Sequence, residues 1–211
     1  MIRRSAHSLL LSGVAAALAL VALPSLAQPS LRNTFPGRRV GGGTRGECFA
    51  RPIVHLVPAN SVFASGPSRL LGILEGPSLN PVSVAVSFRP EANRNAPATT
   101  VVLPASPAAV VLLRQPAITQ PTRWESSYQC GGVQPGADDP LGYVSTVSPP
   151  PVSLLLNEGT PDDLRMQQSL QALLKACGST VSRDQIAASF ALTDLLKEGP
   201  WPERLPVLCP A

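Results

Sequence analysis

Short apolar runs recur along the middle of the chain, each closed by Pro, Gly, Asn, Ser or a charged residue: residues 53–57, 70–74, 82–88, 99–103, 109–113, 123–130, 143–147 and 152–156. Runs of this length between stiff breakers predict strands and exclude long helices. The clearest is 82–88, where larger apolar side chains alternate with small ones, so one face is buried and the other is not. In 123–130 the same period of two places Trp124, Ser126, Tyr128 and Cys130 on one face, which suits the inside of a two-sheet core.

The pattern changes after Leu156. Thr160-Pro161-Asp162-Asp163 reads as an N-cap, a first-turn proline and two acids near the positive end of a helix. Met166, Leu170, Leu173 and Cys177 then recur at helical spacing, and Gly178 is the stop. Ser182 with Gln185 has the capping-box spacing and opens a second helix carrying Ile186, Phe190 and Leu196, ended by Gly199-Pro200. The expected fold class is therefore mainly β: an antiparallel β-sandwich over residues 48–156, followed by a C-terminal α-helical hairpin and a Pro-rich tail over 157–211.

The N-terminus reads as a secretory signal peptide over residues 1–27. Arg3 and Arg4 precede a mainly apolar run over 9–23, and small residues occupy the positions inspected before cleavage after Ala27. The run is too short to span a bilayer comfortably. An exported protein follows, destined for the periplasm, the envelope or the medium, with no stable transmembrane span after cleavage. Residues 28–47 are rich in Arg, Gly and Pro without apolar periodicity, and predict a flexible leader.

Composition then narrows the chemistry. Removing residues 1–27 takes away two Arg and no acid, lowering the net charge from +4 to +2, too little to point to nucleic acid. The four cysteines, Cys48, Cys130, Cys177 and Cys209, all lie beyond the signal, and in an oxidising compartment they read as disulfides. Three connectivities exist. Pairing Cys48 with Cys130 and Cys177 with Cys209 keeps each bridge within one expected structural unit. A metal site is disfavoured by the absence of any C-x-x-C pair and by a single His, His55, beyond the signal.

Residues Pro36-Gly37-Arg38-Arg39-Val40-Gly41-Gly42-Gly43-Thr44-Arg45-Gly46-Glu47-Cys48 resemble the opening of a family of exported cyanobacterial proteins classed as a domain of unknown function. Leu56-Val57-Pro58, Leu103-Pro104-Ala105 and the segment from Thr122-Arg123-Trp124 to Cys130 are similar to further segments of that family, although Thr122 stands where it usually has Tyr. The resemblance implies an exported β-rich fold and a Cys48–Cys130 bridge. It implies no catalytic residue.

Several constellations invite a functional reading. Gly41 to Gly46 satisfies G-x-G-x-x-G, yet a dinucleotide turn needs a strand before it and a helix after it, and neither is predicted. Arg38, Arg39 and Arg45 are candidates for an anionic partner such as a glycan, or form a solvated basic leader. His55 is the only imidazole that a hydrolase could use, and as part of a strand it faces opposite to Val54 and Leu56; no G-x-S-x-G elbow accompanies it. Asp138-Asp139 and Asp162-Asp163 lack calcium-loop spacing and suit turns and helix starts. Trp124 and Tyr128 read as core, whereas Trp201 between two prolines is a candidate for stacking on a sugar. No catalytic residue, cofactor or metal is expected. The sequence points to a non-catalytic envelope or secreted protein that binds an envelope protein or a glycan, with a secreted hydrolase using His55 and a glycan-binding module as alternatives.

Overall fold

The computed structural model describes residues 30–42, 51–129 and 149–209. The predicted strand at 143–147 and the Cys48–Cys130 pairing lie outside these residues, as do Gly43 to Gly46, Arg45, Asp138 and Asp139.

Eleven strands among the described residues form two sheets. The larger contains β1 (Val40–Gly41), β2 (Ile53–His55), β4 (Leu70–Glu75), β7 (Ala109–Arg114), β10 (Thr180–Ser182) and β11 (Arg204–Leu208), in the spatial order β1-β2-β4-β7-β11-β10. The smaller contains β3 (Val62–Phe63), β5 (Val84–Pro90), β6 (Thr99–Leu103), β8 (Thr122–Tyr128) and β9 (Val152–Leu155), in the order β3-β9-β8-β5-β6. The helices are α1 (Leu31–Thr34), α2 (Pro161–Leu174), α3 (Arg183–Phe190) and α4 (Thr193–Lys197).

The mainly β fold with C-terminal helices agrees with the sequence pattern, and seven of the eight predicted apolar runs fall on strands. The sheets are mixed, not wholly antiparallel: β11 runs parallel to β7, and β3 parallel to β9.

Burial along each strand shows how the layers stack. In β5 every second residue is buried, so the smaller sheet has one covered face. In β4 all six residues are buried, which requires cover on both faces. One cover is α2, whose Leu170 lies over Gly72; a Cβ on Gly72 would come 2.7 Å from Leu170 Cδ2, so the missing side chain sets how closely the helix approaches. The other cover is the smaller sheet, reached by the alternate residues Leu71, Ile73 and Glu75. His55 is in register with Ile73 and Val54 with Leu74, so His55 points toward the smaller sheet and Val54 toward the helices.

Three expectations need correction. Residues 30–42 do not form an irregular leader: they carry α1 and β1, and β1 pairs with β2. The second helix is two helices, because Ala191 turns left-handed at φ 49° and the carbonyls of Phe190 and Ala191 accept hydrogen bonds from Arg39. The Pro-rich tail is a strand inside the larger sheet. Pro206 hid it, since proline disfavours central strands, but the ladder to β7 takes up only Val207 and Leu208. The two helical segments are thus separated by β10 and tied into the sheet, where a plain hairpin would stand apart from it. The Cys177–Cys209 bridge is present, with the Cα atoms 5.8 Å apart, and joins the end of the α2 segment to the end of β11.

Candidate functional site

His55 lies between the two sheets, fully buried. The strand period aims it at the smaller sheet, where β8 and β9 present small hydroxyls on their inward faces. His55 Nδ1 is 2.8 Å from Ser153 Oγ and Nε2 is 2.9 Å from Ser126 Oγ. Trp124 lies parallel to the imidazole, with ring centroids 3.7 Å apart and planes 11° apart, and its Nε1–H donates to Ser126 Oγ at 3.1 Å. A neutral imidazole satisfies this site, using one nitrogen as donor and the other as acceptor. Burial holds its pKa well below the ordinary histidine range.

The structure therefore brings serine to both sides of His55, as a hydrolase would need. Among the described residues the ring's hydrogen-bond partners are these two serines and include no carboxylate. The arrangement can orient and hold a proton within the core. Ser126 was legible as a neighbour of Trp124 on one strand face. Ser153 was not, since its register against Trp124 is a matter of tertiary pairing.

A second buried polar cluster sits at the end of β4, and sequence reasoning missed it. Arg51 Nη2 and Glu75 Oε2 are 3.2 Å apart, and both side chains are almost wholly enclosed. Arg51 also donates to the carbonyls of Gly76, Ser106 and Pro107, and its guanidinium carbon stands 5.1 Å from the centre of the Tyr128 ring. Ser106 Oγ donates to Glu75 Oε2 at 2.9 Å. Burial pushes the Glu75 carboxyl up to about 7, outweighing Ser106 and Arg51, which both favour the carboxylate. The Tyr128 hydroxyl is likewise pushed up by burial and donates to the Pro52 carbonyl at 3.2 Å. The signal for this pair was a single charge beside each of two apolar runs.

The basic residues are employed internally. Arg38 donates to the Pro150 carbonyl and its backbone bridges to Val152; Arg39 donates to Val57, Phe190 and Ala191. Neither is a free basic arm. Gly41 and Gly42 allow close backbone contact: a Cβ on Gly41 would collide with the backbone of Pro149–Pro151, and one on Gly42, whose φ is +122°, with the Arg51 carbonyl.

The paired acids 162 and 163 divide in role. Asp163 completes a capping box with Thr160 and is also bound by Arg32 at 2.7 Å and by the Ala64 N–H at 3.1 Å, while Asp162 pairs with Arg165 on the surface. Trp201 is only 6% exposed and Trp124 is fully buried, so neither is placed to stack on a sugar.

Among the described residues, no group of three or more His, Cys, Asp or Glu is placed to hold a metal ion, and no helix is long and apolar enough to cross a membrane. No protein family, no curated protein and no solved structure matches the chain.

Proposed function

We propose that this protein is an exported, non-catalytic component of the cell envelope or its surroundings that works through binding surfaces. The observation that supports the reading is the placement of His55. The one imidazole beyond the signal segment is sealed between two sheets, saturated by two serine hydroxyls and stacked on a tryptophan, as a packing element would be. Export rests on the signal-like residues 1–27, and the Cys177–Cys209 bridge suits an oxidising compartment.

The competing reading is a hydrolase organised on His55, favoured by the two short Ser–His contacts. It requires the sheets to part before a substrate arrives. Incubating the purified protein with broad hydrolase substrates and with a fluorophosphonate probe separates the two. No turnover and no adduct is the expected result. A covalent adduct on Ser126 or Ser153, with turnover lost on His55→Gln, would overturn the proposal.

A further inference from the structure

The two sulfurs of the Cys177–Cys209 bridge stand in different surroundings. Cys209 is half-buried and packs against the apolar core at the end of β11, whereas Cys177 is exposed in the turn that follows α2. Gly178, beside it, is left-handed at φ +74°, and among the described residues nothing lies within 4 Å of where its Cβ would stand, so the space next to Cys177 is open. Ser179 and Thr180 are exposed as well. A nucleophile approaching along the S–S axis therefore has a freer route to Cys177 Sγ than to Cys209 Sγ.

The backbone holds the two cysteines together without help from the sulfurs. Gly178 N–H donates to the Val207 carbonyl and Val207 N–H to the Ser179 carbonyl, both at 2.9 Å, and Thr180 then pairs with Pro206 in the β10–β11 ladder. With the S–S bond open, these contacts keep the cysteines near each other, and a dithiol held this way recloses readily because each sulfur meets the other at high effective concentration.

We propose that the bridge is a reversible modification site for small-molecule thiols, entered at Cys177. The thiol gives up its proton and its thiolate attacks Cys177 Sγ. A new S–S bond forms there, the Cys177–Cys209 bond breaks, and its electron pair leaves on Cys209 Sγ, which takes up a proton. A second thiol then attacks the first at its sulfur, frees Cys177 as a thiol and departs in a small-molecule disulfide, so two thiols are oxidised for each bridge reduced. The consequence falls on β11. Its pairing with β7 consists of Val207 and Leu208, next to Cys209, so opening the bridge loosens that pairing while the β10 ladder retains the strand. The site is independent of His55 and of the binding reading above.

Reduced glutathione is the probe, applied to the oxidised chain at urea concentrations below its unfolding transition. Samples taken early are blocked with N-ethylmaleimide and cut with trypsin, which after Lys175, Arg183 and Arg204 separates Cys177, in residues 176–183, from Cys209, in residues 205–211. The expected early product carries glutathione on Cys177 and maleimide on Cys209, in excess over the opposite product by about tenfold or more. It forms at a rate that is flat across the urea series, the native circular dichroism survives reduction, and removal of the thiol in air restores the bridge. Single variants give a second reading on the same peptides: Cys177 in Cys209→Ser reacts with a disulfide reagent about tenfold faster than Cys209 does in Cys177→Ser. Glutathione found first on Cys209, equal reactivity in the two variants, or a reduction rate that climbs with urea in step with the unfolded fraction overturns the proposal. Loss of the native spectrum on reduction, or failure of the bridge to re-form, overturns it too.

Discussion

His55 and Trp124 belong to different sheets and stack face to face, 3.7 Å between ring centres, so a single aromatic contact joins the two layers at mid-core. Removing the imidazole leaves a cavity and takes a hydrogen-bond partner from Ser126 and Ser153, of which Ser126 keeps Trp124 Nε1–H as a donor. His55→Ala is expected to lower stability by about 3 kcal/mol or more, measured by urea unfolding. His55→Phe with Ser153→Ala refills the stack and removes one of those hydroxyls, and loses less.

Two buried groups give the protein opposing responses to pH. Folding raises Glu75 from its ordinary 4.5 to about 7, so from pH 4.5 upward the unfolded chain releases a proton that the folded protein keeps, and this contribution to stability is lost as pH rises toward 7. Folding lowers His55 below its ordinary 6.5, so under falling pH the unfolded chain takes up a proton that the folded protein refuses, and stability is lost in that direction. Where the two windows overlap, below 6.5 and above 4.5, the slopes offset. Glu75→Gln leaves the histidine slope alone, and unfolding experiments on it show stability rising with pH. His55→Gln shows the reverse, with a fall of about 3 kcal/mol between pH 4.5 and 7. Equal slopes in the two variants would contradict this assignment.

Asp163 is a junction of three segments: the start of α2 through Thr160, the chain after β3 through the Ala64 N–H, and α1 through Arg32. Asp163→Ala leaves Arg32 without its carboxylate and two backbone N–H groups without their acceptor. A loss of about 3 kcal/mol is expected, read by thermal unfolding. Asp163→Asn retains acceptors and loses less. Asp162→Ala, whose partner Arg165 is exposed, is expected to be nearly neutral.

The bridge between Cys177 and Cys209 closes a segment with a sequence separation of 32. Replacing both with Ser is expected to lower stability by about 4 kcal/mol on the loop-entropy account, measured against the oxidised parent in denaturant. Hydrogen exchange in the double variant rises first in β11, whose C-terminal end the bridge secures to α2.

The legible parts of the sequence were those where local chemistry and tertiary packing agree. Val84, Val86 and Phe88 alternate because one face of β5 is covered, and Thr160 with Pro161 opens α2 where the capping groups stand. The break at Ala191 was hidden, because its cause is a guanidinium from Arg39, far away in sequence. β11 was hidden by Pro206. The site was half visible: His55 and the Trp124 face could be read, but the pairing that sets Ser153 beside His55 depends on the β8–β9 register. Arg51 and Glu75 are far apart in the sequence, and the β2–β4 pairing brings them together.

β11 lies in the interior of the larger sheet, between β7 and β10, although it follows every other described strand along the chain. Until residues 204–208 have left the ribosome, β7 has a raw border and the helical segment has nothing to dock its following strand upon. The larger sheet therefore closes only when that strand has joined it.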